Sequence, residues 1–110
     1  KHGMPVSADM EFDARFLPNP FYVEELKNLT GNDPEVRDYV MGHDIARLFA
    51  GEVQGMIEVL IPFYKQEGKF SLSVCFGCTG GHHRSVTLAN DLNDRLTAKG
   101  IRTTLEHRDL

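Results

Sequence analysis

Residues 70–77 alternate: Phe70, Leu72, Val74 and Phe76 fall against Ser71, Ser73, Cys75 and Gly77. The alternation ends in Gly77-Cys78-Thr79-Gly80-Gly81-His82-His83-Arg84-Ser85, after which Ser85, Leu88, Ala89, Leu92 and Leu96 recur at helical spacing. A change of period from two to about 3.6 residues across a glycine-rich break predicts strand, loop and helix in that order. Such a unit cannot stand alone. The strand needs a ladder partner and the helix needs a surface for its apolar face, so the rest of the chain must supply both.

Residues 8–16 offer the partner strand. Ala8, Met10, Phe12, Ala14 and Phe16 lie on one face, and Asp9, Glu11, Asp13 and Arg15 on the other. Leu17-Pro18-Asn19-Pro20 ends it, because proline donates no backbone hydrogen bond and fixes φ. The pattern then predicts a short helix over 22–29 and a turn at Leu29-Thr30-Gly31-Asn32-Asp33-Pro34. A helix follows from Pro34 to about Gly42, with Asp33 as its N-cap. A longer helix covers roughly 44–67, carrying Ile45, Leu48, Phe49, Val53, Met56, Ile57, Leu60 and Ile61, and Gly51, Gly55 and Pro62 are places where it can kink or break. Gly100 is expected to end the helix after the loop, and Ile101, Thr103 and Leu105 to begin a last strand. This order predicts an α/β fold, a small mainly parallel sheet flanked by helices.

At 110 residues, 41% of them apolar and 25% charged, the chain has the size and balance of one globular domain. A net charge of −4 gives no global attraction to nucleic acid, so such binding would need a local basic patch. No stretch approaches the roughly 18 apolar residues of a membrane span, and no secretory signal is visible. Two cysteines do not make a disulfide framework, which points to a reducing, cytoplasmic setting. The chain begins at Lys1, as expected of a piece of a longer protein or a processed one.

The loop carries the chemistry. A helix N-terminus exposes unpaired N–H groups and partial positive charge. Gly80 and Gly81 let the backbone approach a ligand, Thr79 and Ser85 offer hydroxyls, and Arg84 offers a forked donor for phosphate oxygens. Together they read as an anion cradle rather than a plain tight turn. Asp13 and Arg15 stand near the end of the first strand, where ligands of parallel α/β sheets collect. They can serve the ligand or form a surface ion pair with each other, and the pattern leaves both readings open.

Other readings of the loop compete. Cys78 and Arg84 have the C-x5-R spacing of cysteine-dependent phosphatases, but Gly77 stands where a histidine usually precedes the nucleophile and no general-acid loop is evident. A small buried residue at the strand end is the plainer reading of Cys78. Cys75 and Cys78 also spell C-x-x-C, with His82 and His83 close by, yet residues three apart on a strand face opposite ways, which opposes joint metal ligation. Neither a metal nor a cofactor is expected. His2 and His107 read as surface residues.

Asp13-Ala14-Arg15-Phe16-Leu17-Pro18-Asn19-Pro20, Leu29-Thr30-Gly31, Gly77-Cys78-Thr79-Gly80-Gly81-His82-His83-Arg84-Ser85-Val86 and Glu106-His107-Arg108-Asp109-Leu110 resemble, in the same order and over almost the whole chain, the C-terminal domain of the RapZ/YvcJ family of RNase adaptors and P-loop nucleotide-binding proteins. The resemblance implies a domain like the sugar-phosphate-binding part of phosphofructokinases. It also implies sensing of an amino sugar phosphate such as glucosamine-6-phosphate, homo-oligomerisation and, in some members, contact with small regulatory RNA and an RNase. Matching positions make Asp13, Thr79, Gly80, His83 and Arg84 the expected ligand contacts. No G-x4-G-K-[ST] motif occurs, so nucleotide hydrolysis does not carry over, and the chain is expected to bind rather than catalyse. The family domain usually opens with a strand just before the segment that begins here at Lys1. The chain therefore reads as an excised domain or a stand-alone relative.

Overall fold

The computed structural model describes residues 8–77 and 82–103. Among them the order is β1 (Met10–Asp13), a 3-10 turn (Pro20–Tyr22), α1 (Pro34–Met41), α2 (Asp44–Gln66), β2 (Val74–Gly77) and α3 (Arg84–Ala98). The strands form one two-stranded parallel sheet, in the register Met10↔Val74, Glu11↔Cys75, Phe12↔Phe76 and Asp13↔Gly77. The fold is α/β, as the alternation of periods predicts.

Both strands are shorter than their alternating runs. β1 stops at Asp13 because its carboxylate turns back on the chain: Asp13 Oδ1 accepts the Arg15 backbone N–H at 2.9 Å, an Asx turn. Among the described residues one ladder bond passes that point, from Ala14 N–H to the Gly77 carbonyl at 2.6 Å. At the other end, Ser73 takes over the pairing through its backbone and the Asp9 side chain, while Phe70 lies out in solvent.

α2 runs unbroken through Gly51, Gly55 and Pro62. Its buried positions Ala46, Ala50, Val53 and Ile57 step by four, three and four residues. They make a continuous apolar stripe that holds the helix against the rest of the molecule. Two core clusters lie along it. One gathers Ala14, Leu17, Leu26, Val36, Val40 and Leu88, and the other Val53, Ile57, Leu92 and Leu96. Phe49 and Phe76 pack against both, and Phe12 joins them with its ring centroid 5.8 Å from Phe49 and 5.7 Å from Phe76.

Three expectations need correction. The helix over 22–29 is a series of turns after the 3-10 turn. Asn19 Oδ1 caps Phe21 N–H at 3.0 Å, and bonds such as Val23 N–H to Pro20 O and Leu29 N–H to Leu26 O close one turn at a time. Asp33 occupies the N-cap position of α1 but does not cap with its side chain; its Oδ2 accepts Thr30 N–H at 2.8 Å instead. The described part of the last strand, 101–103, forms no ladder. Ile101 is used as a helix stop: Gly100 has φ +79°, Ile101 N–H reaches Leu96 O at 2.9 Å, and Ile101 packs on the cluster that contains Leu96. That is a Schellman ending with its apolar contact.

Candidate functional site

Parallel pairing puts the carboxyl ends of β1 and β2 on one edge. Asp13 is paired with Gly77, so the residue leaving β1 and the glycine that enters the loop are neighbours there. Sequence reasoning expected this juxtaposition, and the register delivers it. Cys78, Thr79, Gly80 and Gly81 lie outside the described residues, and with them the Cys78-based alternatives.

The loop re-enters the described chain at His82 and becomes α3 at Arg84. His83, Arg84 and Ser85 are all buried, with Arg84 only 4% exposed and His83 only 8%. A buried guanidinium demands partners. Arg84 Nη1 donates to the backbone carbonyls of Arg15, at 2.7 Å, and Leu17, at 3.0 Å. These contacts tie the start of α3 to the segment leaving β1. They are neutral acceptors. No carboxylate pairs with Arg84 among the described residues. Its Nε is buried without a hydrogen-bond partner, as are His83 Nε2 and Thr87 Oγ1 nearby on the same helix start. The first turn of α3 carries no acidic side chain. The local balance is thus a buried cation, two unsatisfied polar groups on His83 and Thr87, and the positive end of a helix.

Asp13 and Arg15 stand at the rim and bind each other. Arg15 Nε donates to Asp13 Oδ1 at 3.0 Å and Oδ2 at 2.8 Å, and Nη2 lies 2.6 Å from Oδ2. Hydrogen bonding to the carboxylate, and then its charge, raise the Arg15 pKa. Both side chains are exposed, and an exposed ion pair contributes little to stability. Phe16 and Phe21, also on the segment after β1, expose their rings.

A third segment completes the cluster. Gly31 N–H donates to the His82 carbonyl at 2.7 Å, which places the Leu29-Thr30-Gly31 turn against the loop. Asn90, two turns along α3, donates through Nδ2 to Gly31 O at 3.0 Å and Asn32 Oδ1 at 2.9 Å. Sequence reasoning did not single out Leu17 or Asn90. The Leu-Thr-Gly motif was the visible sign that the turn matters.

Among the described residues no three His, Cys, Asp or Glu side chains come together as metal ligands, and no helix is long and apolar enough to cross a membrane.

The fold and the cluster define a small α/β domain with a basic helix N-terminus at the carboxyl edge of a parallel sheet. The chain belongs to the family of RapZ C-terminal domains, whose profile matches residues 1–110. It is 55% identical over 109 residues to a nucleotide-binding protein of Alkaliphilus oremlandii (strain OhILAs), covering 99% of this chain and 38% of that protein. A nucleotide-binding protein of Clostridium novyi (strain NT) is 52% identical over 100% of this chain and 37% of its own length. One of Limosilactobacillus reuteri (strain DSM 20016) is 51% identical over 100% of this chain and 38% of its own length. The chain therefore spans little more than a third of these curated relatives.

Proposed function

We propose that this domain is a sensor of phosphorylated small molecules, of the amino sugar phosphate class that glucosamine-6-phosphate represents, and that it binds its ligand rather than transforming it. The observation that carries the reading is Arg84: a residue only 4% exposed, its guanidinium held by two neutral carbonyls, with Nε unpartnered and no carboxylate paired with it among the described residues. A cation buried in that way is stabilised by an anion, and the adjoining helix N-terminus favours the same charge. Thr79, Gly80 and Gly81 supply backbone and hydroxyl donors from the loop, and His83 and Ser85 flank Arg84. Asp13 and Arg15 at the rim reach the ring of a phosphate-anchored sugar. The relatives are named nucleotide-binding proteins; a nucleotide shares the phosphate chemistry and is one arm of the test. Contact with a small regulatory RNA and an RNase, homo-oligomerisation and a cytoplasmic setting belong to the same proposal, through the family resemblance.

The test is calorimetric titration of glucosamine-6-phosphate, glucose-6-phosphate, inorganic phosphate and a nucleoside triphosphate. The amino sugar phosphate should bind best. Hydrogen bonds to charged groups contribute about 1.5–3 kcal/mol, so Arg84→Ala should weaken binding about tenfold or more, with Arg84→Lys recovering part of it. Unchanged affinity in Arg84→Ala would remove Arg84 from the site. Turnover of an aryl phosphate that is lost in Cys78→Ser would replace sensing by catalysis.

A further inference from the structure

The Leu29-Thr30-Gly31 turn lies against the loop without belonging to the cradle. We infer that Gly31 and Asn90 are positioning residues that fix the orientation of the His82–His83 peptide, and so aim the first amide donors of α3 at a bound phosphate group. The inference rests on the proposed phosphate site and adds how that site is held ready.

The chain of contacts is short. Gly31 N–H holds the His82 carbonyl at 2.7 Å. The peptide that follows is trans, so its N–H points opposite to its C=O. Holding the His82 carbonyl toward Gly31 therefore turns the His83 N–H away from Gly31. One turn on, the His83 carbonyl accepts Thr87 N–H at 3.0 Å, which sets the next peptide as the first of the helix. His83 is thereby locked on both sides.

The turn has no freedom to drift. A Cβ on Gly31 would lie 2.4 Å from Thr87 N, 2.6 Å from His83 O and 2.7 Å from Val86 Cβ. Two of those three are backbone atoms, which cannot swing aside. The approach is possible for glycine alone. Asn90 fixes the turn from the other side: its buried amide nitrogen bridges Gly31 O and Asn32 Oδ1. The same turn is internally closed, with Thr30 N–H on Asp33 Oδ2 and Asn32 N–H on Thr30 Oγ1.

The experiment uses two readouts on wild type, Asn90→Asp and Asn90→Ala. Asn90→Asp keeps the shape but sets an acceptor against two acceptors, and Asn90→Ala removes the donor more gently in case the first variant does not fold. Amide hydrogen exchange is the readout that needs no ligand. Exchange at Gly31 and Thr87, whose N–H groups hold the His82 and His83 carbonyls, should accelerate about tenfold or more, while the β1 and β2 amides keep their protection. Titration with inorganic phosphate and glucosamine-6-phosphate is the second, with an expected loss of about fivefold to tenfold for both, since the phosphate contact is common to them. Unchanged exchange at Gly31 and Thr87 in folded variants overturns the inference whatever binds. Faster exchange with undiminished phosphate affinity overturns it too. Faster exchange in a protein whose wild type binds no phosphate supports the lock and refutes the sensing role.

Discussion

The proposed anion site would set two tasks on one guanidinium, that of Arg84. Its Nη1 is committed to the Arg15 and Leu17 carbonyls, so the part left for an anion is the edge that carries Nε. Asp13 is the counterpart at the rim, and its charge is shared with Arg15. An ammonium on a bound sugar would draw Asp13 into a charge-assisted hydrogen bond, whereas a hydroxyl offers a weaker neutral donor. Asp13→Asn should therefore cost more affinity for glucosamine-6-phosphate than for glucose-6-phosphate, by about 1 kcal/mol. Paired titrations, after circular dichroism confirms folding, measure the difference. Equal losses would confine Asp13 to the Asx turn and its ion pair with Arg15.

At the scale of elements, α2 shows two kinds of apolar residue. Ile57 is 2% exposed among Val53, Leu92 and Leu96, whereas Phe63, six residues on, is 61% exposed. Ile57→Ala should lower unfolding stability by about 2–5 kcal/mol, and Phe63→Ala by about 0.5 kcal/mol or less; urea denaturation of the two variants checks the contrast. The long helices were legible because a buried stripe repeats over many residues: α2 was expected over 44–67 and spans Asp44–Gln66. Strand limits were not, since the side chains that end β1 and begin the pairing at Ser73 act through backbone bonds. The same physics divides the site. Asp13 beside Gly77 follows from parallel pairing, which alternation and order reveal. The grip of Arg84 on two carbonyls, and of Asn90 on Gly31, does not follow, because every residue has a carbonyl and none advertises which donor will find it.

For the whole molecule, the pairing of distant segments is also a matter of charge. Asp9 accepts Ser73 N–H at 2.8 Å and lies 3.0 Å from Lys69 Nζ, and these contacts, the backbone bond first, lower its pKa below the ordinary 3.8. A carboxylate depressed in the folded state contributes stability above its unfolded value and loses it as pH falls through the folded one. Thermal melts should therefore show Asp9→Asn less stable than wild type at neutral pH, with the gap closing on acidification below about 3.8. A gap that is constant with pH would deny the carboxylate that role. The two strands so joined are also far apart in the chain, with Asp9 and Ser73 separated by 64 positions. All of α1 and α2 must be threaded between them before the sheet can close, and closing so long a loop is costly and slow. The candidate site draws on residues 13–17, 31–32, 77 and 82–90, and so has no partial existence along the folding route. A ligand that recognises it can bind only the finished domain, and it shifts the folding equilibrium toward that domain by RT ln(1 + [L]/Kd). In the cell, the concentration of such a metabolite would then regulate how long the domain survives proteolysis as well as what it signals.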